Sequence, residues 1–283
     1  MSGNRVRSTL AIVLAAIGWP AALTAQEQPP PGADTPVVSP TAPAAPVAAP
    51  LPPAAQGAAA AIDRAAKSEK YIFLFFFRTE DEPTQAARAT FEAAVAKLAD
   101  RAESWSVSIT DPQEQALVRK FGLNRAPMPL VLVLAPNGAV TRSFPGSFTD
   151  DQLQTAFVSV GVQKCLKALQ DRKMAFVCIQ NGTTQHNGEA MRGVTEFAAD
   201  PRYAGSTQIV LIDPGDPGEV DFLRQLRVDP RTREAITVLL APPGRLVGTF
   251  RGEVKKDALV AALQPAAGGC SPASGCCPAP KKP

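Results

Sequence analysis

A single histidine, His186, is all the imidazole the chain contains. With no cysteine near it, it reads as a solvated loop residue rather than a metal ligand or base. No Ser-His-Asp or Cys-His constellation can be assembled from it. Strong charge of one sign is also missing. The formal net charge is +3, and the densest aromatic run, YIFLFFF, does not alternate with lysines and arginines. A nucleic-acid footprint is therefore absent. Beyond the amino terminus there is no second apolar run of membrane-spanning length.

That amino terminus places Arg5 and Arg7 before the apolar stretch TLAIVLAAIGWPAALTA. The arrangement reads as a secretory signal over residues 1–25, cleaved after Ala25, and implies export to a periplasm, a cell surface or the medium. An uncleaved anchor is the competing reading, opposed by the short span and by Pro20. Residues 26–56 are rich in proline and alanine and poor in large apolar side chains. Such a segment builds no core and reads as an extended spacer.

From residue 57 to 264 the pattern becomes globular, and it occurs twice. The first half reads helix, strand (YIFLFFF), helix, strand (SWSVSIT), short helix, hairpin around Asn137-Gly138, and a closing helix over FTDDQLQTAFVSV. The second half repeats the order with MAFVCIQ and QIVLID as strands and AITVLLAPPGRLVGTF as hairpin. Ala135, Pro136, Gly138, Phe144 and Gly146 match Ala241, Pro242, Gly244, Phe250 and Gly252 at a constant spacing (241 − 135 = 106). Phe73 and Phe176 are offset slightly less (176 − 73 = 103), so small insertions separate the copies. The spacing predicts two duplicated domains, 57–162 and 163–264, each an α/β/α sandwich of parallel strands with helical crossovers followed by an antiparallel pair.

This order resembles the thioredoxin-like fold. The residues that carry the resemblance are the apolar strand through Phe76-Phe77, the helix start at Pro83, FGLNRAPMPLVLVLAPNG and Gly146. Met128-Pro129 falls where that superfamily keeps a cis-proline, with Pro127 as a rival position. The resemblance also implies a Cys-x-x-Cys at the start of the helix after the apolar strand, where free amides and the helix terminus favour a thiolate. Here Asp81 and Thr84 occupy the two cysteine positions, Glu80 replaces the usual tryptophan, and Phe75 replaces the buried acid. The bottom-up reading of the three acids is a helix cap: Asp81 alone, or Thr79 with Glu82, satisfies first-turn amides, and Pro83 tolerates the first turn. In the second copy QNGTTQHNGEAM again lacks cysteines, and Ala235 takes the place of Pro129. The groove implied by the resemblance makes Arg78, Met128 and Pro129 candidate peptide-binding residues.

The five cysteines form two populations. Cys165 and Cys178 read either as buried thiols or as a disulfide pair. Cys270, Cys276 and Cys277 lie in the Gly/Ser/Pro tail, residues 265–283. They are candidates for a disulfide, crosslinking, soft-metal binding or thiol exchange, or are oxidised incidentally. The expectation is an exported, redox-inactive tandem that binds a protein or peptide, with no cofactor, no confident metal site, no catalytic residue and no nucleic acid. Membrane contact is expected only through an uncleaved signal segment. The alternatives are a thiol-disulfide oxidoreductase or a disulfide-crosslinked surface component, either one using the tail cysteines.

Overall fold

A computed structural model of the chain describes residues 57–264. The stretches expected to be a signal and a spacer, and the tail with Cys270, Cys276 and Cys277, lie outside the described residues. In the first copy, α1 (Ala58–Lys67), β1 (Tyr71–Phe77), α2 (Glu82–Ala96), β2 (Ala102–Ser108), α3 (Gln115–Lys120), β3 (Leu130–Leu134), β4 (Val140–Pro145) and α4 (Asp150–Gln154) follow one another. The second copy runs α5 (Val160–Gln170), β5 (Met174–Ile179), α6 (Asn187–Ala198), β6 (Thr207–Ile212), α7 (Val220–Gln225), β7 (Ile236–Ala241), β8 (Arg245–Arg251) and α8 (Lys256–Leu263). Each copy builds one four-stranded sheet, ordered β2-β1-β3-β4 and β6-β5-β7-β8. Strands β1 and β2 pair in parallel, as do β5 and β6. Strand β7 runs antiparallel to both β5 and β8. Both sheets thus follow the expected α/β plan.

The central strands carry the cores. Every residue of β1 is buried, which is why YIFLFFF shows no polar alternation: helices cover both faces of a central parallel strand. Complete burial of one such phenylalanine contributes about 1.5–3 kcal/mol relative to exposure. Phe91 of α2 rests on Phe75, with ring centroids 5.3 Å apart, and meets Phe148 edge-on at 6.3 Å. In the second sheet β5 alternates between two clusters. Ala175, Val177 and Ile179 face α5 and α7, while Phe176 and Cys178 face α6 and α8. Phe176 meets Phe197 of α6 at 5.1 Å, the same helix-on-strand contact that Phe91 makes in the first copy.

Two sequence expectations need correction. The closing helix of the first copy covers only Asp150–Gln154, not FTDDQLQTAFVSV. Thr149 and Gln152 form a capping box at its start, and Thr155 turns its hydroxyl back onto the Gln152 carbonyl at 2.6 Å. Ser159 then opens the next helix by accepting the Val162 N–H at 3.2 Å. Helix α5 therefore begins at Val160, and residues 160–162, assigned above to the first domain, belong to the second.

One device escaped the sequence reading although it recurs. Asp111-Pro112-Gln113-Glu114 and Asp216-Pro217-Gly218-Glu219 share the pattern Asp-Pro-x-Glu. In both, the aspartate accepts the N–H two residues on and starts a tight 3₁₀ turn. The turn delivers a buried glutamate to the first helix of its own copy. Glu114 accepts the Ala58 N–H at 2.8 Å, and Glu219 accepts the Gly161 N–H at 3.0 Å and the Ser159 hydroxyl at 2.7 Å. A first-turn amide has no intrahelical acceptor, so these carboxylates satisfy donors that burial would otherwise strand.

Candidate functional site

The segment from the end of β1 to the start of α2, which holds the two positions where the resemblance implies cysteine, is a capped helix start. Asp81 is the N-cap, and its Oδ1 accepts the Thr84 N–H at 3.0 Å. Its other oxygen accepts the Thr79 hydroxyl at 2.9 Å. Hydrogen bonds from the Thr84 hydroxyl, then from its backbone, then from Thr79, hold the Asp81 carboxyl below its ordinary range. The two residues at the degenerate cysteine positions are therefore bonded to each other, and of the two capping schemes open to the sequence, Asp81 alone is realised. Pro83 occupies the first turn, where its missing N–H leaves no bond unmade.

Arg88 anchors one of the other two acids, Glu80. Its guanidinium lies 4.4 Å from the Phe77 ring centroid and 5.8 Å from that of Phe75, and its Nη2 donates to Glu80 at 2.6 Å. Arg88 thus links Glu80, which stays exposed, to the aromatic rings of β1. Among the described residues no group of three or more His, Cys, Asp or Glu side chains is placed to hold a metal ion.

The proline segment immediately precedes β3. The Met128–Pro129 peptide is cis, which selects Pro129 over Pro127 for the expected feature. A second cis bond, Pro242–Pro243, had no sequence signal. The Pro129 carbonyl accepts the Gly146 N–H at 2.7 Å, and in the second copy the Ala235 carbonyl accepts the Gly252 N–H at 2.8 Å. These equivalent bonds fix the correspondence of Pro129 with Ala235. Met128 and Pro129 are half-buried and Pro127 is exposed. Neither the N–H nor the carbonyl of Met128 finds a hydrogen-bond partner among the described residues. Arg78 is exposed and donates to the Asn124 carbonyl at 3.3 Å, tying the loop after β1 to the loop before Met128.

The remaining sequence candidates separate. Cys165 and Cys178 are both free and buried, so the disulfide alternative is wrong. Cys165 projects from α5 into one cluster, whereas Cys178 lies on the opposite face of β5 in the other, and the sheet stands between them. Burial pushes both thiols up to about 12. Thiols in that state are poor nucleophiles at neutral pH. His186 is exposed, adopts a left-handed φ of 63° before α6, and makes no side-chain cap.

No protein-family model matches the chain, and no curated protein matches it. Solved structures similar to part of it include the germline-specific thioredoxin Deadhead from Drosophila melanogaster, with 23% identity, 32% of this chain and 80% of that one covered, and a TM-score of 0.27. The pneumococcal exposed lipoprotein thioredoxin from Streptococcus pneumoniae strain TIGR4 shows 16% identity over 31% of this chain and 84% of its own, with a TM-score of 0.27. The disulphide isomerase from Xylella fastidiosa Temecula1 shows 17% identity over 33% and 79%, with a TM-score of 0.27. Strand order, parallel crossovers, terminal hairpin and the cis-proline before β3 together make the fold of this chain thioredoxin-like.

Proposed function

We propose that this chain is an exported, redox-inactive pair of thioredoxin-like domains that binds extended polypeptide through the first copy. The observation that carries the reading is the unpartnered main chain of Met128, immediately before β3 and after the loop that Arg78 ties to the end of β1. An extended peptide pairs with such an edge through main-chain hydrogen bonds and draws specificity from flanking side chains. Redox inactivity is supported by the Asp81–Thr84 bond at the degenerate positions and by two folded-region thiols held neutral inside the cores. Export is supported by the arginines and apolar run of the first 25 residues, with the proline-rich stretch as a spacer.

The test is titration of the full chain with reduced, carboxymethylated lactalbumin, a permanently unfolded polypeptide that offers no thiol. Saturable binding that weakens when Met128 is replaced by proline, which removes the amide donor, is the expected result. Absence of binding, or binding indifferent to Met128→Pro, refutes the proposal.

A further inference from the structure

The second copy holds the same edge in a different state. Glu234 corresponds to Met128 at the spacing of 106 that relates the hairpins. Its two main-chain groups are both taken by one side chain: the Thr232 hydroxyl donates to the Glu234 carbonyl at 2.9 Å and accepts its N–H at 3.3 Å. A hydroxyl has one donor and two acceptor sites, so a single threonine can serve both. The residue at the matching place in the first copy is Ala126, which has no such group.

The flanking groups are occupied as well. Gln185 makes a parallel bridge with Glu234: its N–H donates to the Arg233 carbonyl, and its carbonyl accepts the Ala235 N–H, both at 2.9 Å. Gln185 reaches this position because the loop after β5 is longer than its counterpart, spanning 180–186 against 78–81. The extra residues fold on themselves. The Asn181 N–H donates to the Thr184 hydroxyl at 2.9 Å, Asn187 Nδ2 donates to the Asn181 carbonyl at 2.7 Å, and Asn181 Nδ2 donates to Asp213 at 2.8 Å. Thr184 is buried within this knot. The loop is thus fixed across the edge as an extended segment of the protein's own chain.

We propose that Thr232 and Gln185 shut the second copy's edge from within, so that only the first copy accepts an extended segment and the choice of residue at 126 and 232 decides which edge is open. This rests on the peptide-binding reading of the first copy and adds to it a one-site stoichiometry and a named determinant. The Glu234 N–H and carbonyl, the Arg233 carbonyl and the Ala235 N–H are each already bonded within the chain, and opening them to an external strand breaks four hydrogen bonds at once.

The experiment uses the isotope-labelled full chain, with carboxymethylated lactalbumin as probe, and reads backbone amide resonances and hydrogen exchange. In the unaltered protein the probe shifts the Met128 amide and leaves that of Glu234 in place. Thr232→Ala speeds exchange of the Glu234 amide about two- to tenfold, the ratio expected for one net hydrogen bond, and the probe then shifts that amide too. The reciprocal Ala126→Thr abolishes the Met128 response. A Glu234 amide that shifts with the probe in the unaltered protein, or that exchanges no faster in Thr232→Ala, overturns the inference. If Met128 itself stays silent, the peptide-binding reading fails, and closure of the second edge is judged alone by the exchange rate of Glu234 in Thr232→Ala.

Discussion

Replacing Glu219 with alanine removes two acceptors from the interior of the second copy and should cost about 3 kcal/mol of stability. The carboxylate is only 5% exposed and takes the Gly161 N–H at 3.0 Å and the Ser159 hydroxyl at 2.7 Å. The two losses are unequal. The Gly161 amide lies in the first turn of α5, is enclosed, and has no intrahelical acceptor to fall back on. A buried donor stranded in this way costs about 1–3 kcal/mol. The Ser159 hydroxyl rotates freely and keeps its bond from the Val162 N–H, so its share is the smaller one. For a unit of about 100 residues each kcal/mol lowers Tm by about 4–8 °C, so the expected fall is at least about 10 °C. Glu114→Ala in the first copy breaks one bond, that from the Ala58 N–H, and should cost about half as much. Urea and thermal unfolding followed by circular dichroism measure both variants. A Glu219→Ala protein within about 0.5 kcal/mol of the unaltered chain, the range of an ordinary surface change, refutes the account, as does a larger loss for Glu114→Ala.

Gly193→Ala should destabilise the second copy by about 1–3 kcal/mol although alanine is the better helix former. A Cβ there would stand 1.8 Å from the Val254 carbonyl oxygen, a backbone atom that no rotamer change can move. Gly188→Ala, in the same helix with nothing within 4 Å of the added carbon, should be neutral or stabilising, and urea midpoints of the two variants decide the contrast. Cys165 and Cys178 should resist iodoacetamide at pH 8 in the native protein and react fully in urea, as peptide mass spectrometry can record. Their folded-state values near 12 lie above the unfolded value near 9, so the unfolded chain loses its thiol protons first. Stability is therefore intact below pH 9 and falls as pH rises toward 12, by up to about 1.4 kcal/mol per pH unit for each thiol. A Cys165→Ala, Cys178→Ala protein whose urea midpoint falls as steeply over that range would contradict this. Asp200 titrates in the opposite direction. Hydrogen bonds from Arg202, then Lys256, hold its carboxyl well below the usual range, so its contribution is present above pH 4 and fades as the solution is acidified; Asp200→Asn should flatten the acid limb of the stability curve.

The sequence exposed what depends on local chemistry and repetition. Hairpin residues recurring at a fixed spacing reveal the duplication, unbroken apolar runs mark the central strands, and Thr79 to Pro83 mark a helix start. The features that stayed hidden depend on which groups face each other across the fold. Alternation along MAFVCIQ puts Cys178 on one face of its strand, but only the packing of α5 against the other face separates it from Cys165. Apolar residues continue past Gln154 and suggest a longer closing helix, while the caps at Thr149 and Ser159 divide that stretch between two copies. Thr232 and Gln185 are unexceptional loop residues until their partners on Glu234 and its neighbours are seen. The Asp-Pro-x-Glu repeat was there to be read; its value lies in where a 3₁₀ turn aims a glutamate, and spacing alone does not give that direction.

The central proposal is that the folded pair binds polypeptide and performs no thiol–disulfide exchange, because its helix start carries Asp81 and Thr84 at the two positions where the resemblance implies cysteine. The most direct measurement is insulin reduction by dithiothreitol at neutral pH, with the full chain and with the full chain bearing Cys270→Ser, Cys276→Ser and Cys277→Ser. The account predicts that both proteins leave the rate at that of dithiothreitol alone while still binding carboxymethylated lactalbumin. Acceleration by the triple variant would contradict it at its root, and acceleration by the unaltered chain alone would move the chemistry to the tail cysteines.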